Sequence, residues 1–77
     1  MSDVKERVIN LVAEKMDVEA AQITDETHFV NDLQSDSLDI AELVIDLEEE
    51  FNVTINDEDA QNIQTVGQAV AFIEANL

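Results

Sequence analysis

Apolar residues recur at spacings of three and four along three stretches of the chain, a period typical of amphipathic helices. The first stretch covers about residues 3–16, and its recurring positions are Val4, Val8, Leu11, Val12 and Met16. Ser2 is suited to cap this helix, and Asp17 can follow its last turn because aspartate tolerates a left-handed backbone better than most residues. The pattern therefore predicts a first helix at the amino-terminal end.

The second stretch begins at Asp36 or Ser37, either of which can serve as N-cap, and reaches Phe51. Its apolar face consists of Ile40, Leu43, Val44, Leu47 and Phe51. A roughly opposite arc is acidic and consists of Asp39, Glu42, Asp46, Glu49 and Glu50. A third strip lies between the two and is not obviously covered by the core: Leu38, Ala41 and Ile45. An exposed apolar strip beside an acidic stripe is typical of a docking surface.

The remaining elements lie after this helix. Residues 51–55 alternate apolar and polar, but no second strand exists to pair with them, so we interpret them as an extended connector. A short helix is predicted from Asp57 to about Ile63, capped by Asn56 or Asp57. The last helix begins with the capping box Thr65-Val66-Gly67-Gln68. Its apolar face is predicted to contain Val66, Ala69, Val70, Ile73 and Leu77.

Residues 17–36 lack a sustained helical period, yet they contain apolar side chains that need burial: Ile23, Phe29, Val30 and Leu33. We expect an ordered loop that lies over the core. With no proline and one glycine, a turn-rich β fold is disfavoured. The predicted fold is all-α: a small four-helix bundle of three longer helices and one short helix, with a long ordered loop between helices 1 and 2. Residues 1–77 are expected to form a single domain.

The strongly negative net charge limits the kinds of partner that the protein can bind. The chain has 19 acidic and 3 basic residues, and the bases Lys5, Arg7 and Lys15 all lie within the first fifteen positions. Such a surface repels nucleic acid phosphates and anionic lipid head groups, and it favours basic proteins or divalent cations. We expect no nucleic-acid binding and no membrane association. Because the first residues carry charges at positions 5, 6 and 7 and contain no long apolar run, we also expect a cytoplasmic protein, and we expect a monomer. That the acidity only keeps the protein soluble stays an open alternative.

The chain has too few nucleophilic and basic side chains for most kinds of active site. Cysteine is absent, His28 is the single histidine, and no GxSxG motif occurs, although an arrangement of Ser37, His28 and an aspartate stays open. We expect no catalytic residues, and a His28 ring that is hydrogen-bonded or solvated. No EF-hand pattern is present, and the acidic runs at residues 48–50 and 57–59 are expected to be solvated rather than to bind metal.

On physical grounds alone, Ser37 is a helix cap. However, Asp36-Ser37-Leu38-Asp39 and the acidic, apolar run at residues 40–51 resemble the signature of the acyl carrier protein family. The resemblance extends to residues 29–33, 56–60 and 65–67, and so spans essentially the whole chain. It implies that a phosphopantetheinyl transferase, using coenzyme A, esterifies the Ser37 hydroxyl with 4'-phosphopantetheine. The start of a helix suits a phosphodiester.

The resemblance also implies roles for other residues. The protein would be a non-catalytic carrier that shuttles acyl intermediates, as thioesters on the arm, between enzymes of fatty acid biosynthesis. Basic patches on these enzymes and on the transferase would be recognised by Asp36, Leu38, Asp39, Ala41, Glu42, Ile45, Asp46, Glu49 and Glu50. The acyl pocket would be formed by Phe29, Leu33, Leu43, Leu47, Ile55, Ala60, Ile63, Ala69 and Ile73, which are equally suited to a plain core.

Gln34 and Ser35 depart from the family, which usually has small residues, often Gly-Ala, before the Asp-Ser-Leu motif.

Two alternatives to a carrier for fatty acid synthesis stay open. The nearer one is a carrier for polyketide or specialised-lipid synthesis. From a different class, the alternative is an acidic helical interaction or divalent-cation-binding protein without a prosthetic group.

Overall fold

The computed structural model describes residues 3–77, and the predicted all-α fold is confirmed. Its helices are α1 (Asp3–Met16), α2 (Ser37–Phe51), α3 (Asp57–Asn62) and α4 (Val66–Ala75). A 3₁₀ helix at Ala20–Gln22 was not predicted, because three residues carry no detectable period. Within residues 3–77 there is no strand, and one isolated antiparallel bridge joins His28 to Thr65. The predicted cap Ser2 lies outside the described residues.

Side-chain capping explains where the later helices begin. Asp36, rather than Ser37, caps α2, and Asn56 caps α3 by accepting a hydrogen bond from the Asp59 amide at 2.8 Å. The predicted capping box of α4 is present, because Thr65 accepts from the Gln68 amide and the Gln68 side chain accepts from the Thr65 amide. These short polar side chains satisfy amides that have no partner inside their helices.

A single apolar core fills the space between α1, α2 and α4. Its fully buried members include Val8 and Val12 of α1 and Leu43 and Leu47 of α2. From α4 it receives Val66, Ala69 and Ile73, all 0% exposed. The predicted apolar faces of the three longer helices therefore meet one another.

Two apolar residues do not follow the sequence-based prediction. Val30 was expected to be buried, but it is 49% exposed, because it lies in a tight turn whose amide is bound by the neighbouring His28 ring. Leu77 was expected on the buried face of the last helix, but it is 69% exposed. Since α4 ends at Ala75, the helical period no longer directs Leu77 towards the core.

The long loop is ordered, as predicted, and it is held against the start of α4. The Phe29 amide donates to the Gln64 carbonyl at 3.0 Å, and the Gly67 amide donates to the Asp25 carbonyl at 2.9 Å. A Cβ at Gly67 would lie 2.9 Å from that same carbonyl oxygen, so the close approach requires glycine. No helix in residues 3–77 combines the length and apolar character needed to cross a bilayer.

Candidate functional site

Ser37 is the first residue of α2 and is exposed. Its neighbours form a reciprocal capping box, in which the Asp39 amide donates to Asp36 Oδ1 at 2.9 Å and the Asp36 amide donates to Asp39 Oδ2 at 3.2 Å. The serine hydroxyl is therefore not needed as a cap. Among the hydrogen bonds of residues 3–77, none joins the Ser37 hydroxyl to another side chain. Ser37 therefore lies exposed at the positive end of the helix dipole.

The two residues that depart from the family pattern set the path of the chain into α2. Ser35 is only 6% exposed, and its hydroxyl donates to Met16 Sδ at 3.1 Å. Its amide donates to the Phe29 carbonyl at 3.0 Å. Gln34 has a φ of 55°, the left-handed conformation that favours glycine. The approach to Ser37 is thus a tightly anchored bend.

An open cavity of about 1040 Å³ lies beside Ser37, between the long loop, α2 and the α3 region. Ser37 belongs to its lining, together with exposed or half-buried polar residues at His28, Asn31, Gln61 and Gln64. The apolar residues of the lining include Phe29, Ile40, Val44, Ile55, Ala60 and Ile63. A cavity of this size and character can hold a small apolar ligand.

The residues assigned to the acyl pocket separate into two groups. Those that line the cavity are Phe29, Ile55, Ala60 and Ile63. Those outside its lining are Leu43, Leu47, Ala69 and Ile73 of the buried core, and Leu33, which packs half-buried against that core. Ile40 and Val44 also line the cavity, although they were not predicted to do so. The available signal was their position at the border of the apolar face of α2, next to the exposed strip.

That exposed strip lies on the cavity side of α2. Leu38 is 66% exposed and Ile45 is 53% exposed, and Ala41 between them is exposed as well. Ala41 and Ile45 also belong to the lining of the cavity. The strip and the cavity are therefore continuous, and a partner that covers the strip would also reach the cavity opening.

Basic residues of α1 contact several acids of α2. Arg7 donates to Glu50 Oε2 from both Nε and an Nη, at 3.0 and 2.8 Å, and its guanidinium lies 4.5 Å from the centre of the Phe51 ring. Lys15 Nζ lies 2.8 Å from Asp46 Oδ2 and 3.7 Å from Glu42 Oε2. These ion pairs were not predicted, because α1 and α2 are far apart along the chain and only the fold makes them adjacent.

These contacts affect the titration of Lys15. The hydrogen bond to Asp46, together with the negative charges of Asp46 and Glu42, raises the pKa of Lys15 above its ordinary value. Partial burial opposes this effect but does not cancel it. Lys15 therefore keeps its positive charge to a higher pH than an ordinary lysine does.

His28 stabilises the loop through hydrogen bonds to its neighbours. Its Nδ1 accepts hydrogen bonds from the amides of Val30 and Asn31, both at 3.2 Å, and its own amide donates to Asp32 Oδ2 at 2.7 Å. Nδ1 of the ring is therefore bound by two backbone amides of the loop. Within residues 3–77, no group of three or more histidine, aspartate or glutamate residues is arranged to hold a metal ion.

Comparisons with known proteins agree on one family. Residues 6–73 match the family model described as a phosphopantetheine attachment site. Acyl carrier proteins from two strains of Porphyromonas gingivalis are each 52% identical to this chain over 77 residues, which are 100% of this chain and 99% of the relative. A solved structure described as an acyl carrier protein from Enterococcus faecalis superposes with a TM-score of 0.85 at 41% identity, and the match covers 97% of this chain and 95% of that one.

Proposed function

The chain belongs to the acyl carrier protein family, whose members have a phosphopantetheine attachment site, and on this premise we propose that its own attachment residue is Ser37. The prosthetic group would carry acyl intermediates as thioesters between enzymes of fatty acid biosynthesis. The observation that carries the proposal is the position of an exposed serine at the start of α2 and at the edge of an open, largely apolar cavity.

The surroundings of Ser37 fit a phosphodiester. A helix N-terminus presents amide groups and a positive partial charge, and both stabilise an anionic phosphate. Asp36 and Asp39 act against this with like charge, although each carboxylate accepts an amide hydrogen bond within the capping box. We therefore propose that these two aspartates bind basic residues of the transferase.

Attachment requires catalytic groups from a separate phosphopantetheinyl transferase, because His28, the single histidine, has its Nδ1 bound to backbone amides. The Ser37 hydroxyl would lose its proton to the transferase while its oxygen forms a bond to the phosphorus nearest the pantetheine of coenzyme A. The phosphoanhydride bond of coenzyme A breaks, and the nucleotide part leaves. When bound, the group supplies a thiol at the end of a flexible arm, which this cysteine-free chain lacks.

We infer that the cavity shelters the acyl chain. Phe29, Ile55, Ala60 and Ile63 would contact it, and Ile40 and Val44 join them from α2. Each methylene removed from water contributes about 0.8 kcal/mol, so a medium-length chain can be held and still be released. The other five residues assigned to the pocket would contact cargo only if the core between α1, α2 and α4 opened.

The acidic and apolar surface of α2 would bind basic patches on the transferase and on the synthetic enzymes. Exposed ion pairs each contribute at most about 1 kcal/mol, and the exposed strip Leu38, Ala41 and Ile45 would add apolar contact. Several weak contacts of this kind favour fast and reversible association, which a shuttle needs. We propose further that residues 1–77 act as one domain, as a monomer, and in the cytoplasm.

The central test is loading. We expect the protein, incubated with coenzyme A and a phosphopantetheinyl transferase, to gain one phosphopantetheine adduct in its intact mass. Ser37→Ala should abolish the adduct. Ser35→Ala is the matched control and should still be loaded, since Ser35 is buried and bonded to Met16. Absence of an adduct on the folded native chain, or its persistence in Ser37→Ala, would contradict the proposal and favour an acidic interaction protein without a prosthetic group.

A further inference from the structure

Part of the acidic surface of α2 is already occupied by a cation of the same molecule. Lys15 Nζ lies 2.8 Å from Asp46 and 3.7 Å from Glu42, and these two acids are one helical turn apart on α2. Both acids belong to the set assigned to partner recognition. A basic side chain of a partner could bind this pair of acids only where Lys15 already lies.

Lys15 is better anchored than a typical surface lysine. Its side chain is 28% exposed, compared with 46% for Lys5, which pairs with Asp25 in the loop. It is the penultimate residue of α1, where the negative end of the helix dipole favours a cation. The hydrogen bond to Asp46 also raises the pKa of Lys15, because it favours the charged form of the lysine. Displacing Lys15 from the two acids therefore costs free energy.

We propose that Lys15 is a built-in competitor for the Glu42–Asp46 pair and thereby determines which basic partners bind well. A partner must bring a cation that replaces Lys15 at Asp46, and an arginine is the best replacement because its planar fork can bind a carboxylate through two parallel hydrogen bonds. Partners that present a single lysine gain little by the exchange. This inference rests on the proposed function, because it assigns a selective step to the docking surface of α2.

The competition predicts effects of different size from two variants that each remove one positive charge. Lys15→Gln unmasks Glu42 and Asp46, whereas Lys5→Gln changes the net charge equally but leaves the pair covered. Because exposed ion pairs contribute up to about 1 kcal/mol, Lys15→Gln should bind a basic partner about two- to fivefold more tightly than Lys5→Gln does. Lys15→Arg restores the cation and should return the affinity to the wild-type level or below.

The binding experiment uses two probes on the full chain carrying Ser37→Ala, which prevents loading during the measurement. The first probe is a phosphopantetheinyl transferase, and the second is a synthetic amphipathic helical peptide with arginines beside leucines. Dissociation constants are measured by calorimetry for the wild-type, Lys15→Gln, Lys15→Arg and Lys5→Gln forms. Melting temperatures of all four are recorded to verify that they fold.

A double-mutant cycle completes the test. Asp46→Asn should weaken binding more in the Lys15→Gln background than in the wild-type background, because only there is Asp46 available. Equal affinities of Lys15→Gln and Lys5→Gln, or an additive cycle, would overturn the inference. If Lys15→Gln does not fold, Lys15→Arg decides the test: binding no tighter than that of the wild type supports the competition, and tighter binding than that of the wild type refutes it. Failure of the proposed function is recognised separately, by the absence of an adduct on Ser37.

Discussion

The two sides of α2 are covered to very different degrees. On one side, α1 and α4 seal the core, and Val8, Val12 and Ile73 are 0% exposed. On the other side, the long loop and the six-residue α3 leave a cavity of about 1040 Å³. The described α3 has no buried residue of its own and is anchored by the buried residues at its flanks, Ile55 and Ile63. Stability is therefore concentrated on the closed side, while the open side can adapt to a ligand at small cost.

The sequence of α3 explains this difference. Its six residues are Asp57, Glu58, Asp59, Ala60, Gln61 and Asn62, and they contain a single apolar side chain. Such a segment cannot bury an apolar face, and so short a helix contributes little stability without tertiary packing. The acids in its first turn and the Asn56 cap favour its start. The open side thus results from composition and length rather than from a missing element.

The largest test of the comparison replaces one isoleucine on each side. Ile73→Ala on the closed side should lower the free energy of unfolding by about 2–5 kcal/mol, because it creates a cavity among packed side chains. Ile40→Ala on the open side should cost about 1 kcal/mol or less, since Ile40 is half-buried and lines an existing cavity. Urea unfolding followed by circular dichroism gives both values. Equal losses for the two variants would show that the sides do not differ in packing.

A smaller effect is expected at the bend that precedes Ser37. Gln34→Gly should raise the free energy of unfolding by up to about 1 kcal/mol, because glycine removes the steric cost of a left-handed φ and loses only part of that gain to chain entropy. Asn52→Gly is the matched control, since Asn52 has the same φ of 55°. Asparagine tolerates this conformation better than glutamine, so the control should gain less. A destabilised Gln34→Gly protein would mean that the glutamine side chain stabilises the bend.

The smallest expected effect concerns the ion pairs between α1 and α2. Because the pKa of Lys15 is raised in the folded protein, its contribution to stability is fully present below the ordinary value of 10.5 and is lost as the pH rises through the higher folded value. The melting temperature of the wild type should therefore fall more steeply above pH 10.5 than that of Lys15→Gln. Parallel pH profiles from thermal scans would contradict a folded-state role for this pair.

The boundaries of α1 and the start of α4 could be predicted because they depend on local chemistry. Asp17 adopts the left-handed φ of 56° that was expected after α1, and Thr65 and Gln68 form the expected capping box. Val30 and Leu77 could not be predicted, since burial depends on where the backbone turns. A periodic pattern indicates which residues can share a face, but it does not indicate whether the chain continues as a helix to present them.

The proposed attachment residue and the cavity depend on different kinds of information. The position of Ser37 before an amphipathic helix, and its resemblance to a known family signature, are present in the sequence alone. Local capping and helical period are enough to predict the start of α2, because both act between residues a few positions apart, whereas the role of Ser37 is implied by the resemblance alone. The ion pairs of Arg7 and Lys15, and the entry of Ile40 and Val44 into the cavity, required the tertiary structure. These features join residues of different elements, and only the packing of the helices determines which of those residues meet.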